Sequence, residues 1–165
     1  MKEIYFKQNP QDPKPLSVII ERKVRFDELD SLNIMWHGNY ASFFEEGRVA
    51  LGNKYGIGYL DFYNHGITIP LKKFHLDFTA PLEFDKIYAI ETLLHWNEAA
   101  RLDFSFSIYD EHKKLMTSGY CVQLMIDDKN EILVAKPKFF DDFCKTWKEN
   151  GSPSPRPIPQ EAMKI

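Results

Sequence analysis

Hydrophobic and polar residues alternate from residue 17 to 27, with Val18, Ile20, Val24 and Phe26 in one phase and Glu21, Lys23, Arg25 and Asp27 mostly in the other. A period of two predicts a first strand buried on one face. A polar, turn-like run, DELDSLNIMWHGN, follows, and beyond it the period changes. Tyr40, Phe43, Phe44, Gly47, Ala50 and Leu51 recur at steps of three and four up to Gly56. That spacing predicts an amphipathic helix of about four turns, with Asn39 or Gly38 as its N-cap and Gly56 as its stop.

From residue 67 the period returns to two. In ITIPLKKFHLDFTAP, Ile67, Ile69 and Leu71 share a phase that Phe74, Leu76 and Phe78 do not, so a β-bulge is expected at Lys72 and Lys73. Strands are then predicted around Tyr88 to Trp96, Leu102 to Ile108 and Met116 to Ile126, joined by tight turns at 97–100 and 110–113. A short amphipathic helix, KFFDDFCKTWKE, precedes a Pro-rich end, GSPSPRPIPQ, expected to be extended or disordered. One strand, one long helix and four more strands give an α+β chain in which a curved antiparallel sheet wraps around the helix. The expected divisions are an N-terminal extension at 1–15, one domain at 16–150 and a tail at 151–165. A single sheet layer leaves an edge and a face poorly covered, which argues for self-association.

Composition narrows the function. At 165 residues the chain is long enough to bury a core without disulfides or a structural metal. A formal net charge of −3 provides no broad basic surface, so nucleic acid is not an expected partner. No run approaches the ~18 apolar residues of a membrane span, and the first fifteen residues lack the apolar core of a signal peptide, so the cytosol is the expected compartment. Cys121 and Cys144 fall in different elements and make no zinc spacing, and His65, His75, His95 and His112 form no metal set; both thiols are expected to be buried. No metal or cofactor is predicted.

Chemistry concentrates between Arg25 and Arg48. Asp30, a six-residue gap, His37-Gly38-Asn39-Tyr40, then Phe44-Glu45 and Arg48 form a pattern that resembles the 4-hydroxybenzoyl-CoA thioesterase family of hotdog-fold proteins. The resemblance covers residues 17 to 127 and leaves out the first fifteen residues and the Pro-rich end. It implies a hotdog fold, hydrolysis of an acyl-CoA thioester, and a site between two subunits of a homodimer or homotetramer. It also implies that Asp30 acts as general base or nucleophile while a backbone N–H at about His37 polarises the thioester carbonyl.

The residue types suit that chemistry. Thioester hydrolysis needs a carboxylate to activate water or to attack, and donors for the oxyanion, which the unpaired amides of a helix N-terminus can supply. Each residue also has a plainer explanation. Asp30 could form only an Asx-turn, His37 and Asn39 could serve as caps, Tyr40 could be core, and Glu45 and Arg48 could be an i,i+3 ion pair. Some hotdog thioesterases carry the catalytic carboxylate on the central helix, so Glu45 or Glu46 is the second choice if Asp30 is inert. Trp36, Gly38, Asn39 and Tyr40 are the expected substrate contacts, and Lys72 and Lys73 the first candidates for the coenzyme A phosphates, with a solvated strand edge as the alternative. Competing functions are a carrier-protein thioesterase, a hydratase, whose Asp and His would stand closer together, and a non-catalytic acyl-CoA binding protein.

Overall fold

The computed structural model describes residues 4–157. Its strands are β1 (Leu16–Lys23), β2 (Leu71–Phe78), β3 (Ile87–His95), β4 (Arg101–Tyr109) and β5 (Leu115–Leu124), and its helices α1 (Tyr40–Tyr55), α2 (Tyr59–Asn64) and α3 (Lys138–Asn150). The strands form one antiparallel sheet in the order β1-β3-β4-β5-β2. α1 packs across β1, β3 and β4, so the architecture is the hotdog arrangement expected from the sequence.

Burial explains the elements. Phe43, Phe44 and Leu51 of α1 are fully buried against Ile90, Leu94, Phe104 and Phe106 of the sheet, and Phe44 stacks on Phe106 with centroids 4.3 Å apart. Ala50, expected on this face, is only half-buried, and Gly52 is buried in its place. α1 ends where expected, at Gly56, which takes the left-handed conformation at φ 72° and donates its amide to the Gly52 carbonyl. The bulge is also present: the β2–β5 register shifts between Leu71 and Lys73, leaving Lys72 without an opposite residue. Cys121 and Cys144 are buried free thiols.

Two expectations need correction. The first strand stops at Lys23, and Phe26, expected in the core, is 77% exposed within a 3-10 turn. The chain turns there because the buried Glu28 carboxylate accepts the Arg25 amide at 2.9 Å. Asn39 is not a side-chain cap; a 3-10 turn at His37–Asn39 leads into α1, Asn39 is already helical, and its side chain is used elsewhere. The Pro-rich end, expected to be extended or disordered, has no helix or strand as far as it is described, and it is docked. Pro153 is buried, the Arg156 amide donates to the Lys54 carbonyl at 2.6 Å, and the Arg156 guanidinium pairs with Asp61. Residues 158–165 of that stretch lie outside the described residues.

The N-terminal segment crosses the sheet face opposite α1. The Tyr5 hydroxyl donates to Asp77 at 2.6 Å, the Phe6 ring packs on His95 and Tyr120, and Trp147 of α3 donates to the Lys14 carbonyl at 3.0 Å. No helix among the described residues is long and apolar enough to cross a membrane.

Candidate active site

The chain between β1 and α1 folds back on itself in a short hairpin-like excursion. Leu29 bridges Met35, the Asp30 amide donates to Ile34 at 2.9 Å, and the Trp36 amide donates to Glu28 at 2.8 Å. Asn33 turns the tip at φ 64°, a conformation that Asn tolerates better than most residues. Within the turn, Asp30 Oδ1 accepts the Leu32 amide at 2.7 Å, so Asp30 does form an Asx-turn. The bond engages one oxygen and fixes the carboxylate's orientation; no partner of the other oxygen is found among the described residues.

The return arm leads to the start of α1. The Asn39 amide is bonded to Trp36 at 2.9 Å, whereas the amides of His37 and Gly38 have no acceptor among the described residues. Asp30, His37 and Tyr40 line one cavity of about 380 Å³, walled otherwise by Ile34, Met35, Phe78, Thr79, Ala80 and Pro81. Tyr40 is 2% exposed and meets Phe78 edge-on at 4.9 Å, and its hydroxyl accepts the Leu82 amide at 3.3 Å. Burial raises the Tyr40 pKa above its ordinary value, the Leu82 bond opposes this, and the nearby charge of Asp30 adds to it.

The other residues singled out in the sequence are placed differently. Trp36 is 48% exposed, and its ring packs on His37 with centroids 5.2 Å apart. Glu45 is exposed and pairs with Arg48, and Glu46 pairs with Arg22 at 3.2 Å; neither carboxylate lines the cavity. Lys72 and Lys73 are exposed at the end of β2 remote from Phe78, roughly 20 Å from it at the rise of an extended strand. A larger depression of about 770 Å³ has Glu21, Glu83, Asp85, Asp110 and Glu111 on its walls, with Lys86 and Lys114. That predominance of carboxylates opposes a polyanionic ligand such as coenzyme A.

One support of the site escaped the sequence reading. Arg22 points inward in the same phase as Val18 and Ile20 and bonds Glu28 at 2.5 Å. The Glu28 carbonyl then accepts the Asn39 side chain at 3.0 Å, which ties the hairpin to the start of α1. A charged residue in an apolar strand phase was the available signal, since such a side chain requires a partner. Among the described residues no cluster of His, Cys, Asp or Glu could hold a metal ion.

Known proteins fit this arrangement. The family model described as the thioesterase-like superfamily matches residues 24–164. YneP of Bacillus subtilis (strain 168), provisionally named an acyl-CoA thioesterase, is 24% identical over 129 residues, covering 78% of this chain and 94% of YneP. A DHNA-CoA thioesterase from Staphylococcus aureus has the same fold at a TM-score of 0.73 and 22% identity, over 81% of this chain and 90% of that one. The S. aureus protein SAV2348, solved in complex with CoA, superposes at a TM-score of 0.71 and 15% identity, over 96% of this chain and 98% of its own. The chain belongs to the thioesterase-like superfamily and is a thioester hydrolase of hotdog fold.

Proposed function

We propose that the chain hydrolyses an acyl- or aroyl-coenzyme A to the free acid and coenzyme A, with Asp30 as general base or nucleophile and the His37 and Gly38 amides as oxyanion donors. The observation that carries this reading is one cavity walled by the Asp30 carboxylate and by the amide-bearing turn before α1. As a base, Asp30 takes a proton from water, and the resulting hydroxide attacks the thioester carbonyl. The oxyanion is held by the two amides until the C–S bond breaks, and the departing thiolate recovers the proton from Asp30. As a nucleophile, Asp30 instead attacks the thioester carbonyl and expels the thiolate to form a mixed anhydride; where water opens it at the Asp30 carbonyl, a single turnover in 18O-water labels the Asp30 carboxylate, whereas the base route labels only the product acid.

The lining supports the substrate class. Ile34, Met35, Tyr40, Phe78, Ala80 and Pro81 make an apolar wall fit for an acyl chain or ring. Phe78, a wall of the cavity, is 55% exposed on the edge strand β2, and this supports a homodimer closed over the site.

The test is thiol release from a panel of acyl- and aroyl-CoA esters by wild type and Asp30→Asn. Turnover of at least one ester is expected, with a loss of ~100-fold or more in the variant. Full activity in Asp30→Asn sinks the assignment of Asp30 and transfers the role to Glu45 or Glu46. Absence of turnover, together with thermal stabilisation by coenzyme A, identifies a non-catalytic binding protein. Turnover of carrier-protein thioesters alone identifies the other substrate class.

A further inference from the structure

The two amides assigned to the oxyanion sit inside the turn from Trp36 to Asn39, and both ends of that turn hang on one oxygen. The Glu28 carbonyl accepts the Trp36 amide at 2.8 Å and the Asn39 side-chain amide at 3.0 Å. The Asn39 backbone amide closes the turn on the Trp36 carbonyl at 2.9 Å. Glu28 stands two residues before Asp30, on the other arm of the hairpin. One carbonyl therefore fixes the base and the oxyanion donors relative to each other.

The Asn39 contact is also one link of a closed ring. The Ser42 hydroxyl donates to the Asn39 carbonyl at 2.7 Å, Arg22 Nη1 donates to Ser42 Oγ at 2.8 Å, and Arg22 Nη2 donates to Glu28 Oε1 at 2.5 Å, which returns the ring to Glu28. It runs through β1, the hairpin, the turn and the start of α1. Glu28 is buried, and its second carboxylate oxygen accepts the Arg25 amide at 2.9 Å, so the shared carbonyl is held in place. None of the four residues lines the Asp30 cavity. Asn39 thus neither walls the acyl site nor caps α1 with its side chain.

We infer that Asn39 is a positioning residue for the hydrolysis, acting through the Glu28 carbonyl to hold the His37 and Gly38 amides in register with Asp30. The inference rests on the thioesterase reading. Without the Asn39 side chain, the Trp36 amide still ties one end of the turn, and the other end pivots about it. Misplacing reacting groups by about 1 Å costs ~100-fold in rate, whereas one half-buried hydrogen bond is a small part of the folding free energy.

Asn39→Ala in the full-length chain is read by thiol release, urea unfolding and amide exchange. Against the best ester of the panel, kcat falls roughly 100-fold while KM stays within about twofold of wild type and the urea midpoint barely moves. Exchange in the peptide spanning residues 28–40 quickens about tenfold or more, and exchange in β3 to β5 is unchanged. A raised KM with kcat intact makes Asn39 a substrate contact and overturns the proposal.

Two further variants separate positioning from a general structural role. Asn39→Asp keeps the size of the side chain and suits a helix cap, yet sets an acceptor against the Glu28 carbonyl. Its kcat falls at least as far as that of Asn39→Ala, and wild-type kcat in Asn39→Asp overturns the proposal. Asp30→Asn/Asn39→Ala falls little below Asp30→Asn alone, because no base is left to align; a further ~100-fold loss shows that Asn39 acts apart from Asp30 and overturns it. Exchange is read without turnover, so an inactive wild type defeats the thioesterase reading, while unquickened exchange in Asn39→Ala defeats this one.

Discussion

Glu28 receives the guanidinium of Arg22 at 2.5 Å beneath the Asp30 turn, with 5% of the Glu28 side chain and 12% of the Arg22 side chain exposed. Arg22 also bonds Ser42 at 2.8 Å and lies over the Phe43 ring at 4.0 Å, so one cation joins the end of β1, the hairpin and the first turn of α1. Removing one partner of a buried pair leaves the other charge desolvated and alone, at about 3–5 kcal/mol. Arg22→Met is therefore expected to lose that much stability in urea unfolding. Replacing both partners, Arg22→Met/Glu28→Leu, should lose less than the sum of the single variants. A single-variant loss below about 1 kcal/mol would show the pair to be solvated and unimportant.

This pair also marks the limit of what the sequence made legible. Alternation in β1 and in β3 to β5, the α1 period and the Gly56 stop follow from local burial, so a one-dimensional pattern carries them. The bulge at Lys72 was readable for the same reason, since a phase slip is a local signal. Phe26 was misplaced because the turn that exposes it is set by Glu28, whose burial depends on Arg22 six residues earlier. α2 went unseen because six residues give the helical period too little length to register. Asp30, His37 and Tyr40 could be named from the motif, but the Thr79–Pro81 wall comes from a distant loop and had no local signature.

The buried cysteines predict a pH response. Burial pushes the Cys121 and Cys144 thiols up to about 11 from an ordinary 9.0, against the opposing pull of Arg48 on the first and Lys136 on the second. The folded chain thus holds these protons more tightly than the unfolded chain. Their stabilising effect is complete below about pH 9 and is lost as the pH rises toward 11, with an upper bound of about 2.7 kcal/mol per thiol. Burial raises the Tyr40 and Tyr88 phenols as well, which acts in the same direction. Urea midpoints measured across this range should fall steeply for wild type and less steeply for Cys121→Ala/Cys144→Ala. Parallel slopes would assign the alkaline loss to other groups.

Gly38 separates the oxyanion geometry from stability. A Cβ at this position would overlap the six-membered ring of Trp36, which already packs on His37. Trp36 is half exposed, so in Gly38→Ala the ring can swing outward with a stability change of about 0.5 kcal/mol or less. The backbone carrying the His37 and Gly38 amides must adjust with it, and displacements of that order near reacting atoms reduce turnover ~100-fold. The expected result is an unchanged urea midpoint, a large fall in kcat and a shifted emission from Trp36, the one exposed tryptophan among the described residues. Trp36→Ala in the Gly38→Ala background removes the obstruction and should restore most of the kcat. If turnover is unaffected by Gly38→Ala, or if Trp36→Ala does not rescue it, these amides are not the donors that the reaction uses.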